Sequence, residues 1–244
     1  MTRPRALHRG LVSAVSAFNR NPWTSERLEL LPRDEHPFYA EDGLWTHHGH
    51  AFTEEPRFVH AYERAIIAGG FDYGIRWRVH TILWAAENAA RLDGAFVECG
   101  TARGFVASAI CAFPDWSTRP FYLFDTFQPG ACRYYAESPE AVAPTFNEWP
   151  GVRLVVGEIP ASFESLEAQT VGEVAFLHVD LNHAPSEEAA VRHFWPKLDT
   201  GGTMVFDDYG FQGFEASREA ADALGRELGY TVLTLPTGQG LVVK

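Results

Sequence analysis

From residue 95 to its end, the sequence alternates short apolar runs with stretches of helix length. The runs lie at 95–99, 120–125, 152–156, 174–181, 203–206, 231–235 and 241–244, and the intervals between them predict helices near 104–113, 138–148, 160–168, 186–197 and 212–228. Apolar runs that do not alternate with polar residues suit strands that are covered on both faces. The pattern therefore predicts an α/β doubly wound domain whose sheet has seven strands and helices on both faces.

The final two runs have a different relationship. Only the segment from Pro236 to Gly240 separates them, and so short a connection cannot make a parallel crossover. We expect these two strands to pair antiparallel, as a hairpin at the end of an otherwise mostly parallel sheet.

The region before the alternation divides in two. Residues 56–70 and 76–92 have helical spacing and form a helical lead-in (56–94) to the core at 95–244, whereas residues 20–55 are rich in Pro, His and aromatic residues without a clear period. We interpret residues 1–55 as an arm or lid. Its apolar and aromatic residues lack a pattern that would bury them internally, so we expect a homo-oligomer, specifically a dimer, in which this arm makes contacts.

Composition excludes several classes of partner. The chain has 20 Lys and Arg against 32 Asp and Glu, a net charge of −12, and no dense basic run, which argues against a nucleic-acid partner. No apolar run reaches the length of a membrane span. Its 3 cysteines form no CxxC pair, which favours a reducing compartment. We expect a cytoplasmic protein.

A glycine motif follows the first strand of the core. Glu98, Gly100 and Gly104 form an acidic-x-Gly-x-x-x-Gly pattern, in which Thr101 and Ala102 complete the turn into a helix. Glycine permits a tight turn and a close backbone approach, and the free amides of a helix N-terminus suit a ligand carboxylate. The carboxylate of Glu98 suits a ligand ammonium group. We expect bulk at Gly100 to block the ligand and leave the fold largely intact.

The next two strands end in residues that suit a nucleoside. Asp125 ends the second strand, where such folds bind ribose hydroxyls, and Thr126 and Phe127 would wall an adenine pocket. Gly157, after the third strand, would allow close backbone approach. The alternatives are that the glycines are ordinary turn residues, that Asp125 caps a helix and that Phe127 is a core aromatic.

Three carboxylates follow the fourth and fifth strands. Asp180 ends the fourth run, and Asp207 and Asp208 follow the fifth. Because these strand ends share one edge of a parallel sheet, the three side chains should converge, and close like charges need an offsetting cation or protons. Hard oxygen ligands suit Mg²⁺ or Mn²⁺. The alternative is a helix cap at Asp207 or Asp208 and loop hydrogen bonds at Asp180.

Taken together, residues 95–244 resemble the macrocin O-methyltransferase family. The matching pieces are Val97-Glu98-Cys99-Gly100 with Gly104, Asp125-Thr126-Phe127, Leu177–Asp180, Gly201-Gly202 leading to Asp207-Asp208-Tyr209, and Trp77-Arg78-Val79-His80 upstream. The resemblance implies a Rossmann-like class I fold. It also implies that S-adenosylmethionine donates a methyl group to a hydroxyl of a small molecule, a sugar or phenol of a natural product, and that Asp180, Asp207 and Asp208 hold Mg²⁺.

One position departs from the family pattern. Where the family has a second Asp two residues after the first, thought to act as the base, this sequence has Asn182, which cannot take a proton. His183, in the loop at the strand tip, is the better candidate base, alongside Asp180 at the catalytic centre. We interpret His178 as a core histidine that points away from the side of Leu177 and Val179.

Two other functions stay open. A nicotinamide-dependent oxidoreductase would need the second glycine of a dinucleotide fingerprint, where this chain has Ala102. A non-catalytic methyltransferase-like binding protein would explain Asn182.

Overall fold

The computed structural model describes residues 39–113, 119–128 and 138–244. Along these residues the elements are a hairpin of β1 (Tyr39–Glu41) and β2 (Leu44–Thr46), then α1 (Pro56–Gly69), α2 (Arg76–Ala89), β3 (Ala95–Cys99), α3 (Phe105–Ala112), β4 (Phe121–Asp125), α4 (Pro139–Val142), β5 (Val152–Val156), α5 (Leu166–Gln169), β6 (Val174–Val179), α6 (Ala184–Phe194), β7 (Leu198–Phe206), α7 (Glu215–Leu228), β8 (Leu233–Thr234) and β9 (Gly240–Val243). Short 3₁₀ segments lie at Ala51–Glu54, Ala143–Phe146, Ala161–Glu164 and Trp195–Lys197.

The main sheet confirms the predicted architecture. It has 7 strands in the order β5-β4-β3-β6-β7-β9-β8. Strands β3 to β7 pair in parallel, and β9 pairs antiparallel with both β7 and β8. The C-terminal hairpin is therefore present, and its second strand lies between β7 and β8.

Helices cover both faces of this sheet because successive strand residues point to opposite sides. On one face, α1, α2 and α3 pack on residues such as Phe96, Phe176 and Val205. On the other face, α6 and α7 pack on residues such as Leu177 and Met204. The two layers leave the carboxyl ends of the parallel strands as an edge where loops from β3, β4, β6 and β7 meet.

Some element boundaries differ from the prediction. Strand β7 begins at Leu198 rather than at residue 203. Its first half was not predicted, because it contains partly or fully exposed polar and glycine residues that interrupt the apolar run. The helix expected over 138–148 is one turn, Pro139–Val142, followed by a 3₁₀ segment. Pro144 has no N–H to continue the helical hydrogen bonds. The helix expected over 160–168 is likewise divided into a 3₁₀ segment and α5.

Part of the predicted arm contacts the core directly. The OH of Tyr39 accepts a hydrogen bond from the backbone N of Trp77 at 3.2 Å, and Glu41 pairs with Arg76, so the β1–β2 hairpin packs on the first turn of α2. Residues 1–38 of the arm lie outside the described residues. None of the helices in the described part of the chain combines the length and apolar character that a membrane crossing requires.

Candidate active site

The glycine loop connects β3 to α3, and its glycines are required by contacts within the chain. Gly100 has φ +95°, and a Cβ there would lie 1.8 Å from the backbone O of Asp180. Gly104 has φ +87°, and a Cβ there would lie 2.6 Å from the ring of Phe146. The expectation that bulk at Gly100 would leave the fold largely intact is therefore wrong, because the clash is with the backbone of a neighbouring strand end. The same clash shows that the loop after β3 touches the residue that follows β6.

Asp125, at the end of β4, organises the glycine loop. Its Oδ2 accepts hydrogen bonds from the backbone N of Thr101 at 2.9 Å and of Ala102 at 2.8 Å. Its Oδ1 accepts from the backbone N of Phe127 at 2.9 Å and, more weakly, from the hydroxyl of Thr126 at 3.4 Å. Two of the amides that we expected to face a ligand carboxylate thus bind Asp125 instead. Because the contact between Oδ1 and the Thr126 hydroxyl is long, Oδ1 can still accept a hydrogen bond from a further hydroxyl group.

Two polar atoms beside this loop are buried and have no hydrogen-bond partner among the residues that the structure describes. They are Oε2 of Glu98 and Oγ1 of Thr101, and such atoms are costly unless water or a ligand satisfies them. Phe127 is buried, with φ +47°, and Gly157 (φ +139°) lies after β5 against Ser162. The predicted nucleoside residues therefore share one sheet edge, and the orphaned atoms fit a ligand that carries polar groups, as S-adenosylmethionine does.

The three carboxylates of the fourth and fifth strand ends do converge. Asp180, Asp207 and Asp208 each offer one oxygen, and these oxygens lie within 4.8 Å of one another. A set of three carboxylate oxygens at this separation fits a hard divalent cation, which prefers oxygen ligands. The role of the three as metal ligands remains a prediction.

An arginine side chain, to which the sequence pattern assigned no role, lies against these carboxylates. Nη1 of Arg78, in α2, donates to Oδ2 of Asp207 at 2.6 Å and to Oδ1 of Asp208 at 3.1 Å. Its Nε donates to Asp42, in the β1–β2 turn, at 2.6 Å. On the other side, Nε2 of Gln239 donates to Oδ1 of Asp207 at 2.8 Å. The available signal was an arginine within an apolar helical pattern, since a buried charge needs a partner.

A second buried pair lies deeper in the sheet. His178 is 0% and Glu98 1% exposed, and Nδ1 of His178 lies 3.0 Å from Oε1 of Glu98. Nε2 of His178 faces Oδ1 of Asp207 at 3.8 Å. Burial alone would lower the pKa of His178, but the carboxylates of Asp207 and Glu98 raise it to about 10. The two carboxylates thus favour the protonated imidazole. The ring lies on the side of the sheet opposite Leu177 and Val179, as the sequence predicts.

The acidic residues differ in protonation because their surroundings differ. Burial and the charges of Asp207 and Asp208 raise the pKa of Asp180 well above its ordinary value. Burial and Asp207 also raise the pKa of Asp208, to about 6. The pKa of Asp207 is lowered despite its burial, because Arg78 and His178 favour its charged form. Arg78 and His178 thus keep Asp207, one of the three carboxylates, ionised.

Asn182 and His183 both lie exposed beyond Asp180. Nδ2 of Asn182 is 3.4 Å from Oδ1 of Asp180, with φ +55° at residue 182. His183 occupies the N-cap position of α6, and its Nδ1 lies 2.9 Å from Oγ of Ser186. The contact with Ser186 orients the imidazole and leaves Nε2 as the nitrogen available to another group.

The fold corresponds to that of known proteins. Residues 97–209 match the family model described as a methyltransferase domain. No curated protein matches the sequence significantly. Among solved structures, the O-methyltransferase NovP is similar at a TM-score of 0.60 and 18% identity, over 74% of this chain and 88% of that one.

Two further structures share the fold. The apo structure of CalS11, a TDP-rhamnose 3'-O-methyltransferase of calicheamicin biosynthesis, matches with a TM-score of 0.53 and 18% identity, over 79% of this chain and 89% of that one. An O-methyltransferase from Bacillus cereus in complex with SAH matches with a TM-score of 0.55 and 12% identity, over 78% and 91% of the two chains.

The sheet order, the glycine loop after β3 and the acidic residue that ends β4 define a Rossmann-like class I methyltransferase fold. Residues 97–209 match the model of a methyltransferase domain, and the similar solved structures share the fold. Both findings agree with the predicted class. Arg78 and Asp42 lie upstream of the matched residues, whereas Asp180, Asp207 and Asp208 lie within them.

Proposed function

We propose that this protein is an S-adenosylmethionine-dependent O-methyltransferase that acts on a hydroxyl of a small molecule. The observation that carries the proposal is the contact between Gly100 and Asp180, where a Cβ would lie 1.8 Å from the Asp180 carbonyl oxygen. The loop assigned to the donor therefore adjoins the acidic residues assigned to the acceptor. Methyl transfer needs this adjacency, because the two reacting atoms must be in contact.

The donor is consumed and is therefore a substrate. In this proposal Glu98 and Thr101 offer their unpartnered oxygens to its polar end, and Oδ1 of Asp125 accepts from a ribose hydroxyl. Ala102, Gly100 and Gly104 shape the loop, while Thr126, Phe127 and Gly157 border the base. The methyl carbon leaves the sulfonium sulfur and bonds to the acceptor oxygen, and the hydroxyl proton leaves with a base.

Asp180, Asp207 and Asp208 would hold Mg²⁺, which makes a bound hydroxyl more acidic. Arg78 holds Asp207 and Asp208 in place for this role. His183 is the proposed base through its Nε2, since its Nδ1 contacts Ser186. Asn182 would orient the acceptor by hydrogen bonds, because an amide accepts no proton at neutral pH.

The acceptor class rests on likeness in fold. NovP is an O-methyltransferase, and CalS11 is a TDP-rhamnose 3'-O-methyltransferase. We propose a sugar or phenol hydroxyl of a natural product for this chain as well. The dimer and the cytoplasmic location also remain proposals, the former testable by light scattering and the latter resting on cysteine usage.

The test is calorimetry with S-adenosylhomocysteine, with and without Mg²⁺, followed by a screen of sugar and phenol acceptors. We expect donor-product binding in both conditions and turnover that needs the cation. Turnover that survives exhaustive chelation would remove Mg²⁺ from the proposal. Tight binding without turnover across the panel would favour a non-catalytic binding protein. Binding of a nicotinamide dinucleotide in place of S-adenosylhomocysteine would favour an oxidoreductase.

A further inference from the structure

We propose that Asp42, on the hairpin that precedes the methyltransferase domain, is a positioning residue for the acidic site. It acts through Arg78 and determines how tightly Asp180, Asp207 and Asp208 bind a divalent cation. The inference rests on the cation site of the proposed function. The hairpin then belongs to the site, although it lies more than a hundred residues before the three carboxylates.

Arg78 is held by hydrogen bonds from its N–H groups and by one aromatic ring over the guanidinium. The side chain is 7% exposed, and Asp42 accepts from its Nε at 2.6 Å. Nη1 donates to Asp207 and Asp208. The guanidinium carbon lies 4.6 Å from the ring centre of Phe211. Because a planar guanidinium donates in fixed directions, these contacts fix the orientation of the Arg78 side chain.

The hairpin fixes Asp42 in its turn. Asp42 connects β1 and β2 and has φ +49°, a conformation that Asp and Asn tolerate better than most residues. The hairpin is docked on α2 by a separate ion pair between Glu41 and Arg76. It is also docked by the hydrogen bond between Tyr39 and the backbone of Trp77. Asp42 can therefore lose its charge while the hairpin keeps its own attachment.

The charge of Asp42 bears directly on the acidic site. Arg78 places a fixed positive charge against two of the three carboxylates, and this charge repels a divalent cation that would bind there. Asp42 offsets that charge from the other side of the same guanidinium. Without the carboxylate of Asp42, the field of Arg78 at the site is less compensated, and a divalent cation should bind more weakly.

The experiment compares Asp42→Asn with Glu41→Gln in the full chain. Both variants remove one negative charge from the same hairpin, but Glu41 pairs with Arg76 and not with Arg78. Binding of Mn²⁺ is measured from the loss of the electron paramagnetic resonance signal of the free ion. Calorimetry with S-adenosylhomocysteine and the thermal midpoint are measured on the same samples. Asp42→Gly, which suits the same turn, repeats the test without a side chain.

We expect Asp42→Asn and Asp42→Gly to weaken Mn²⁺ binding roughly tenfold. Glu41→Gln should change it by less than about twofold, because Glu41 pairs with Arg76 rather than with Arg78, and the amide oxygen of Gln can still accept a hydrogen bond from Arg76. Affinity for S-adenosylhomocysteine should stay unchanged in all three. Equal Mn²⁺ affinity in Asp42→Asn and Glu41→Gln would overturn the inference and leave the proposed function standing. A wild-type protein that binds S-adenosylhomocysteine but no Mn²⁺ would overturn the inference together with the cation site, and methyl transfer would be judged by turnover alone.

Discussion

Nδ1 of His178 lies 3.0 Å from Oε1 of Glu98, and the two residues are direct partners in the register of neighbouring parallel strands β3 and β6. β3 leads into the glycine loop, and β6 leads to Asp180. The pair therefore connects the strand that serves the donor side to the strand that serves the acidic side. It does so inside the sheet, where solvent does not screen it.

Removing one member of this pair should be costly. His178→Leu leaves the carboxylates of Glu98 and Asp207 without their imidazolium, and we expect the free energy of unfolding to fall by about 3–5 kcal/mol. The double variant Glu98→Leu/His178→Leu should lose less than the sum of the two single changes, since no buried carboxylate of the pair remains. Urea denaturation measures all three. Additive losses would mean that the two residues do not interact energetically.

Gly100→Ala should destabilise the fold itself. The added Cβ would meet the backbone O of Asp180 at 1.8 Å, and residue 100 has φ +95°. Strain and overpacking together predict a loss of roughly 3 kcal/mol or more. Gly172→Ala is the matched control, because a Cβ there meets no described residue within 4 Å. Thermal unfolding of the two variants at equal midpoints would show that the loop after β3 adjusts without cost.

Asp125→Ala should weaken binding of S-adenosylhomocysteine by about 1–3 kcal/mol, because a ribose hydroxyl and the loop amides lose their acceptor. Thr126→Val is the control, since it keeps the side-chain volume that borders the base and removes only the hydroxyl, whose contact with Asp125 is 3.4 Å. Calorimetry gives the affinities, and circular dichroism checks that each variant is folded. A folded Asp125→Ala protein with wild-type affinity would place the donor elsewhere.

His183→Ala should lower the methyl-transfer rate roughly 10²–10⁴-fold, the usual contribution of a general base, while affinity for S-adenosylhomocysteine is unchanged. Asn182→Asp introduces a carboxylate two residues after Asp180, and in the His183→Ala background it should restore part of the rate. Single-turnover kinetics with a reactive acceptor measures both effects. A wild-type rate in His183→Ala would assign the proton to solvent.

Stability should depend on pH through His80. Burial lowers the pKa of this imidazole from its ordinary 6.5, although Glu55 opposes the shift, and the ring stacks on Phe52 at 3.9 Å between centres. The folded state thus favours the neutral ring. The contribution of the neutral His80 ring to the free energy of unfolding is fully present above pH 6.5 and is lost as pH falls through the lowered pKa.

Urea denaturation between pH 7 and pH 5 tests this dependence. In His80→Phe, which keeps an aromatic ring on Phe52, the loss of unfolding free energy over this range should be smaller than in the wild type. His60→Gln, at an exposed position of α1, should retain the wild-type slope. An unchanged slope in His80→Phe would assign the pH dependence to other groups.

The apolar runs of the sequence determined the strands of the sheet. Apolar runs at 95–99 and 152–156 become β3 and β5 with the same ends. β3 is buried on both faces, whereas β5 lies at the edge of the sheet and is only partly buried, so its β-branched residues are what favour a strand there. The short link after Pro236 likewise determined the antiparallel hairpin. The positions of Gly100, Asp125 and Asp180 at the strand ends follow from the same alternation.

Which charges meet was decided only by tertiary structure. Arg78 and Asp207 lie 129 residues apart, and no local period relates them. The strand ends of the sequence predict that three carboxylates converge and need a cation. Only the packing of α2 on the sheet brings Arg78 to these carboxylates. The β1–β2 hairpin in turn brings Asp42 to Arg78. The two loop amides bound by Asp125 are a similar case, because a carboxylate accepts from whichever donors the folded chain places within reach.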